Sequence, residues 1–236
     1  MRKNNRNYHE TRVLQFESNC NNYADGSCLV STGNTKVICT ASIDNHIPHF
    51  LRNKKQGWIT AEYNMLPMAT HTRNTREKVI NSGRTKEIQR LIGRSLRSCI
   101  DLSLIPNIQI RIDCDVIQAD GSTRAASING AYVALALALK KLNTNNIINN
   151  PITTKAISAI SCGIVNNHIM IDLDYEEDLS ADADASFVID ENGLLSEVQV
   201  TAEHKRFNAQ QLSDMLAISI KVSKEINILQ KKAIET

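Results

Sequence analysis

Hydrophobic and polar positions alternate over short runs in the first third of the chain, which predicts β-strands. Asn, Asp and Gly separate these runs, and Gly26 and Gly33 lie where turns are expected. The spacing favours an antiparallel start to a sheet. The runs that share the pattern are RVLQFES, SCLVSTG, KVICTASI and GWITAEYNML.

In the segment TKEIQRLIGRSLRSCI the apolar residues have the spacing of a helix. Its apolar positions recur three and four residues apart, so they would share one face of a helix. These positions are Ile88, Leu91, Ile92, Leu96 and Cys99. Arg90, Arg94 and Arg97 share the opposite face. The polar, basic segment before this helix, THTRNTREKVINSGR, is expected to be a loop.

The run NIQIRIDCDVI alternates again and predicts a strand with one buried face. That face carries Ile108, Ile110, Ile112, Cys114 and Val116. A polar turn, DGSTR, follows at once and leads into a helix that is apolar or small on nearly every side. Because such a helix has no face suited to water, we expect it to be central and covered on both sides.

The second half of the chain repeats this order in outline, without a strict internal repeat. After the Asn-rich link NTNNIINNP come the predicted strands AISAISCGIV, HIMIDLD, ASFVID and LSEVQV, with an acidic turn among them. A closing helix is expected from about Ala209 to Ile234. Strands, helix, strands and helix in this order predict an α+β fold in a single domain, 1–236, rather than a doubly wound nucleotide-binding fold.

The amino-acid composition excludes several classes of protein. The 236 residues, 42% of them hydrophobic and 22% charged, are sufficient to bury a substantial core. A net charge of +2 excludes a polybasic protein, so any contact with nucleic acid must depend on a local cluster of Lys and Arg. The six cysteines have no C-x-x-C spacing and are expected to be reduced core residues. No apolar stretch is long enough to span a bilayer, so we expect a cytoplasmic protein without a membrane partner.

The DGSTR turn places small residues and Arg124 at the start of a helix, where unpaired N–H groups and the helix dipole favour an anion. In the simpler alternative, Asp120 or Ser122 caps the helix with its own side chain. A second helix start carries Gly83 and Arg84. If the two arginines converge, they would hold one tetrahedral anion such as free phosphate.

An acidic run, DLDYEEDLSADAD, is the second candidate for chemistry. It contains Asp172, Asp174, Glu176, Glu177, Asp178, Asp182 and Asp184. Such runs are often solvated turns, and this one lacks the register of an EF-hand. The alternation of Asp182 and Asp184 nevertheless places both on one strand face near Asp178, an arrangement suited to Mg²⁺ or Mn²⁺.

A basic series is the third candidate. It comprises Arg73, Arg76, Lys78, Arg84, Lys86, Arg90, Arg94 and Arg97. Some of these side chains would form a solvated helix face with ion pairs to Glu77 and Glu87. Arg73 and Arg76 have few acidic neighbours in the sequence, which favours a nucleic-acid phosphate backbone as their partner. No nucleoside triphosphate loop of the form G-x-x-x-x-G-K-[ST] is present.

Long motifs spread over essentially the whole chain resemble the ribonuclease PH family. They are QGWITAEYNMLP, THTRN, GRTKEIQRLIGRSLR, DCDVIQADGSTRAASI and EVQVTAE. The resemblance implies a ribosomal protein S5 domain 2-like fold with mixed β-sheets packed against helices. It also implies a phosphate-dependent 3′-to-5′ exoribonuclease and nucleotidyltransferase that trims tRNA precursors and other RNA 3′ ends, in a homohexamer built as a trimer of dimers. DNA is not an expected partner.

The resemblance also assigns roles to residues. Phosphate, as co-substrate, would be bound by Arg84, Ser122, Thr123 and Arg124. Asp178 and Asp184 would lie beside the scissile bond as catalytic groups, either as ligands of Mg²⁺ or Mn²⁺ or as proton donors. Arg73 and Arg76 would bind RNA.

Several positions depart from the family pattern. Ser122 replaces a glycine, Met68 an arginine and His204 a glycine, and the early NNR lacks the usual Asp-Gly. One alternative is a non-catalytic RNA-binding ring subunit of an exosome-like assembly, but such subunits lose residues that this chain keeps. A small-molecule kinase is a second alternative, and it would need the triphosphate loop that is missing.

Overall fold

The computed structural model describes residues 2, 5–51, 54–144 and 152–236. Within these ranges the chain forms nine strands in two sheets and five α-helices. The strands are β1 Leu14–Ser18, β2 Gly26–Thr32, β3 Thr35–Asp44, β4 Trp58–Met65, β5 Gln109–Gln118, β6 Ile157–Val165, β7 His168–Ile171, β8 Ala183–Asp190 and β9 Leu195–Ala202. The helices are α1 Arg76–Ile80, α2 Gly83–Ser98, α3 Thr123–Thr144, α4 Tyr175–Leu179 and α5 Ala209–Glu235. Most of the predicted Asn-rich link, 145–151, lies outside the described residues.

The first sheet has the order β1-β2-β3-β5-β4. Its start is antiparallel, as predicted, while β4 runs parallel to β5. The alternation in β5 is confirmed, because Ile110, Ile112 and Val116 are buried. Gly33 occupies the turn between β2 and β3 with a φ of +54°. The predicted turn at Gly26 is wrong: this residue begins β2, where a Cβ atom would collide with the backbone of α3 at Ala134.

The segment expected to be a loop before α2 contains the short helix α1, which is a correction to the prediction. Helix α2 begins as predicted at Gly83, because the Ser82 side chain accepts a hydrogen bond from the Thr85 N–H at 3.0 Å. The predicted apolar face of α2 is buried against β4 and α3. The Arg84 side chain therefore extends from the first turn of a helix whose opposite face is buried in the core.

Helix α3 is central, as its sequence predicts. It is buried continuously from Ala125 to Leu139 and packs on β2, β3 and β5 of the first sheet and on β6 of the second. Small residues permit this close approach; at Gly130, for example, a Cβ atom would meet Val30 and Cys39. Both sheets therefore pack on this one helix.

The second sheet has the order β7-β6-β8-β9, is antiparallel throughout its described pairs, and packs against α5. The closing helix is confirmed. The acidic turn contains α4, which begins with a capping box between Asp174 and Glu177. All six cysteines are free and five are buried, Cys20 being half-buried. The α+β class is confirmed, whereas a single domain over 1–236 stays a prediction.

Candidate active site

One pocket of about 610 Å³ lies where the start of α3 meets α2, α4 and β8. It brings together residues that are far apart in the chain; Arg84 and Asp184, for example, are separated by 100 positions. The residues predicted to bind phosphate and to carry the chemistry all line it: Arg84, Ser122, Thr123, Arg124, Asp178 and Asp184. The first four are called the anion seat below, and Asp178 and Asp184 the acidic pair.

The entrance of α3 presents free backbone donors. The carbonyl of Ser122 accepts the first helical hydrogen bond, from the Ala126 N–H. Within the described part of the chain, the N–H groups of Thr123 and Arg124 have no acceptor. These donors and the positive end of a helix 22 residues long both favour a bound anion.

Side-chain capping, the simpler alternative for this turn, is not what the structure shows. The Ser122 hydroxyl donates to the Leu173 carbonyl at 3.0 Å. The Asp120 carboxylate accepts instead from the Asn34 side chain at 3.1 Å and from the Tyr175 N–H at 3.4 Å. Both side chains that could occupy the helix start are therefore directed elsewhere, and the donors of α3 stay open to the pocket.

Ser122 adopts a left-handed backbone with a φ of +56°, which explains why glycine suits this position. The strained conformation is held by the hydroxyl contact to Leu173 and by close packing at the preceding residue. At Gly121, φ +75°, a Cβ atom would collide with the Leu173 carbonyl. The Ser122 side chain thus ties the anion seat to the acidic segment, and the backbone remains available to an anion.

The Thr123 side chain is held by a hydrogen bond with a buried tyrosine. The Tyr63 hydroxyl donates to the Thr123 Oγ1 at 3.1 Å. Burial raises the pKa of Tyr63 to about 12, although this hydrogen bond and the Arg84 charge oppose the shift. Tyr63 therefore stays protonated at neutral pH and holds the first residue of α3 as a hydrogen-bond donor.

The two arginines of the anion seat differ in their contacts. Arg124 donates weakly, to the Asp184 Oδ2 at 3.3 Å and the Gln199 Oε1 at 3.4 Å. Arg84 is exposed and, among the described residues, has no hydrogen bond or ion pair. Its charge nevertheless acts on Asp178 and Tyr63. A cationic side chain without a partner, next to open N–H donors, is suited to an incoming anion.

The acidic pair combines a group with a raised pKa and a buried unpaired oxygen. Burial raises the pKa of Asp178, and the negative charge of Asp184 raises it further, while Arg124 and Arg84 oppose the shift. The Asp184 Oδ1 is buried and lacks a hydrogen-bond partner among the described residues. Such an oxygen is satisfied by a proton or by a cation, so the pair fits either role.

A divalent cation would need further ligands beyond this pair. The described residues contain no group of three or more His, Cys, Asp or Glu side chains arranged to hold a metal ion. Water or substrate oxygens would complete the coordination of Mg²⁺ or Mn²⁺, as is usual for Mg²⁺ at phosphate chemistry.

The remaining acidic residues have structural partners. Asp172 is buried and pairs with Arg12 at 2.6 Å, while Glu177 pairs with Arg2 at 2.7 Å. Asp182, predicted to face the metal with Asp184, accepts instead from the Lys205 Nζ at 3.1 Å and does not line the pocket. The prediction is therefore correct in placing Asp178 and Asp184 in one pocket and wrong in placing Asp182 with them, while the catalytic role of the pair stays a prediction.

The N-terminal arginines that hold this site together were not predicted from the sequence. Arg12 donates to the Asp120 carbonyl, next to the anion seat, and to Asp172 and the Leu173 carbonyl at the other side. It thereby links the anion seat to the segment that carries α4 and Asp178. No local signal marks such a residue, because its partners lie 108 to 161 positions away.

Arg73 and Arg76, predicted to bind RNA, are exposed and lie outside the pocket lining. Arg76 lies close enough to Asp115 for their charges to interact, which the sequence did not predict. Burial raises the pKa of Asp115, and the Arg76 charge opposes this shift. Met68 is also exposed and outside the pocket.

Two members of the basic series have partners within this chain, although these partners are not the expected Glu77 and Glu87. Arg94 pairs with Glu197 at 3.1 Å, and the guanidinium of Arg97 lies 4.4 Å from the centre of the Trp58 ring. Both arginines are thus engaged by this chain.

Sequence comparison identifies the family. Residues 10–141 match the model of domain 1 of the 3′ exoribonuclease family, RNase PH, and residues 155–222 match domain 2. Ribonuclease PH of Hydrogenobaculum sp. (strain Y04AAS1) is 49% identical over 98% of this chain and 91% of its own length. Ribonuclease PH of Caulobacter vibrioides (strain NA1000 / CB15N) is 45% identical over 99% of both chains.

Solved structures agree with this fold. Rice (Oryza sativa) Rrp46 superposes with a TM-score of 0.81 over 100% of both chains at 18% identity. A chain of the Archaeoglobus fulgidus exosome with RNA bound to the active site gives 0.79 over 95% of this chain and 91% of its own, at 20% identity. None of the described helices is long and apolar enough to cross a membrane, and the cytoplasmic location stays a prediction. On its sequence and its fold, the chain belongs to the ribonuclease PH family of 3′ exoribonucleases.

Proposed function

We propose that this chain is a phosphate-dependent 3′-to-5′ exoribonuclease that trims tRNA precursors and other RNA 3′ ends. The name ribonuclease PH of relatives 45 to 49% identical over nearly the whole chain supports this activity. The observation that carries it is one pocket in which an anion seat with open N–H donors faces a pair of carboxylates.

In the proposed reaction, inorganic phosphate is bound at the start of α3 and between Arg84 and Arg124. The phosphate displaces Asp184 as the main partner of Arg124, because two parallel charge-assisted bonds exceed one contact at 3.3 Å. The two guanidinium groups also reduce the repulsion between the attacking anion and the RNA phosphodiester. The seat therefore both binds and orients the nucleophile.

A phosphate oxygen attacks the phosphorus of the terminal phosphodiester, and the bond from that phosphorus to the 3′ oxygen of the preceding nucleotide breaks. The products are a nucleoside diphosphate and an RNA shorter by one nucleotide, whose 3′ oxygen takes up a proton. Asp178, with its raised pKa, is suited to hold that proton next to the leaving oxygen. A Mg²⁺ or Mn²⁺ ion on Asp178 and Asp184 would instead stabilise the negative charge of this oxygen.

The same chemistry runs in reverse, since a phosphodiester is exchanged for a diphosphate of similar energy. With nucleoside diphosphates in excess, the protein should therefore extend an RNA 3′ end and release phosphate. Arg73 and Arg76 are proposed to hold the RNA backbone outside the pocket, where both are exposed.

The deciding experiment uses a 3′-extended tRNA and labelled inorganic phosphate. Label is expected in nucleoside diphosphates, in proportion to the phosphate supplied. Release of monophosphates without any need for phosphate would reject phosphorolysis, and binding of RNA without any product would indicate a non-catalytic ring subunit. Parallel reactions with and without EDTA separate a cation on the acidic pair from a proton on Asp178.

A further inference from the structure

Two aromatic side chains, His71 and Tyr175, line the same pocket as the anion seat and the acidic pair. They come from distant segments, the loop after β4 and the first residue of α4. Their ring centres lie 5.4 Å apart and the ring planes are inclined by 58°. The pocket thus has an aromatic surface in addition to its charged groups, and none of the roles described above uses it.

Neither ring contributes to the core. Tyr175 is 46% exposed, and His71 is exposed as well. Within the described residues, neither the Tyr175 hydroxyl nor the His71 ring has a hydrogen bond or an ion pair. By contrast, the exposed His46 is paired with Asp44 at 2.9 Å. Exposed aromatic rings in a pocket, without polar partners, are the surfaces on which nucleobases stack.

The position of Tyr175 relative to the reacting groups supports this role. Tyr175 and Asp178 are three residues apart in α4, so their side chains lie on one side of a helical turn. The Tyr175 N–H donates to Asp120, immediately before the anion seat. A nucleotide whose phosphate is at the acidic pair would therefore have its base within reach of the Tyr175 ring, one sugar ring away.

We infer that His71 and Tyr175 form a stacking platform for the base of the terminal nucleotide, and for the base of a nucleoside diphosphate in the reverse direction. The inference rests on the proposed function, which brings an RNA 3′ end into this pocket. Stacking uses the π face that every base has, so the platform would favour a base without selecting its identity. Removal of one such ring lowers affinity on the order of tenfold.

The test compares RNA ending in an ordinary nucleotide with the same RNA ending in an abasic ribonucleotide. The wild-type protein should phosphorolyse the first with a kcat/KM about tenfold higher. Tyr175→Ala should remove this preference by lowering kcat/KM for the ordinary end only, with the KM for phosphate unchanged. Tyr175→Phe keeps the ring and should keep the preference, and His71→Ala should weaken it.

A matched control is Tyr23→Ala, because Tyr23 is fully exposed and does not line the pocket. It should behave as wild type on both ends. Equal wild-type rates on ordinary and abasic ends, or an equal loss on both in Tyr175→Ala, would overturn the platform.

Binding without turnover separates this inference from the proposed function. RNA ending in the fluorescent base 2-aminopurine should be quenched on binding to the wild type, and less so on binding to Tyr175→Ala. If quenching is lost in the variant while the wild type forms no nucleoside diphosphate, the platform stands and phosphorolysis fails. If phosphorolysis occurs and the quenching is the same in both proteins, the platform is wrong.

Discussion

At the scale of single residues, function depends on groups whose protein partners are weak or missing. Arg84 has no ion pair among the described residues, Arg124 is held only at 3.3 and 3.4 Å, and the Asp184 Oδ1 is buried without a donor. Each such unsatisfied group raises the free energy of the free protein, and a bound substrate removes this penalty. The neighbouring Asp172 and Glu177 are fully paired and therefore have little to offer a ligand.

Replacement of Arg124 tests the anion seat. Arg124→Ala should raise the KM for phosphate roughly tenfold or more, since one charge-assisted bond is worth about 1.5 to 3 kcal/mol. RNA affinity measured without phosphate should stay close to wild type. Arg94→Ala, which removes an arginine paired with Glu197 outside the pocket, is the control. An equal loss of RNA affinity in Arg124→Ala would contradict the assigned role.

The acidic pair is tested by an uncharged variant of the same size. Asp184→Asn should abolish turnover, a loss on the order of 10²-fold or more, because the amide neither ionises nor transfers a proton. Phosphate binding, followed by calorimetry, should persist. Asp182→Asn is matched in chemistry and position but lies outside the pocket and pairs with Lys205, so it should remain active. Full turnover in Asp184→Asn would remove this carboxylate from the mechanism.

At the scale of elements, the site is built where the start of α3 meets α4 and β8. The apolar pattern of α3, the alternation in β5 and the buried face of α2 were all predictable, because each is a local consequence of which face is covered. The short helices α1 and α4 were not predicted, since five residues give too little periodicity. Arg12 and Ser122 join the anion seat to the segment just before α4, at Asp172 and Leu173.

Removal of the Arg12 link should destabilise the protein and misplace Asp178. Arg12→Ala removes the nearer of the two arginines that pair with Asp172 and leaves Arg6 at 3.3 Å, so the loss should stay below the value of about 3 to 5 kcal/mol for a fully unpaired buried charge. Urea unfolding at neutral pH should show this loss. Below the unfolding midpoint, kcat should fall while the KM for RNA changes little, because the anion seat and the segment before α4 are then joined only by the weaker contacts of Ser122 and Tyr175. Arg12→Lys, which keeps the charge, should recover part of both losses.

The same ion pair predicts a dependence of stability on acid. Burial alone would raise the pKa of Asp172, but the hydrogen bonds and charge of Arg12 lower it to about 2 from an unfolded value of 3.8. The stabilisation is therefore complete above about pH 4 and is lost as the pH falls through 2, a difference of about 2 kcal/mol. In Arg12→Ala, most of this pH-dependent stabilisation should be lost. The free energy of unfolding, measured with urea between pH 2 and 5, checks this.

At the scale of the whole molecule, the homohexamer that the family resemblance implies would explain apolar groups on the surface. Leu194, Leu195 and Val198 are exposed at or next to β9, the edge strand of the second sheet. Exposed apolar groups beside an unpaired strand edge are typical of a surface that another chain covers.

Light scattering tests the assembly. It should give six times the protomer mass of 26.3 kDa, or twice that mass if only dimers form. The assembled form should bind RNA more tightly than the protomer obtained by dilution, since Arg73 and Arg76 from several subunits would act on one strand. A stable monomer that trims RNA at full rate would contradict the ring.

The sequence by itself determined the longer elements, the central place of α3, the small residues and Arg124 at the start of that helix, and the family, because these follow from local periodicity and long motifs. Only the tertiary structure decided which carboxylates of the acidic run are free. In sequence Asp172, Glu177, Asp178 and Asp182 are alike. They differ because arginines 160 to 175 positions away reach Asp172 and Glu177, and Lys205 reaches Asp182, while Asp178 is left facing the pocket. Such long-range pairing depends on how the two sheets meet at α3, and no local pattern encodes it.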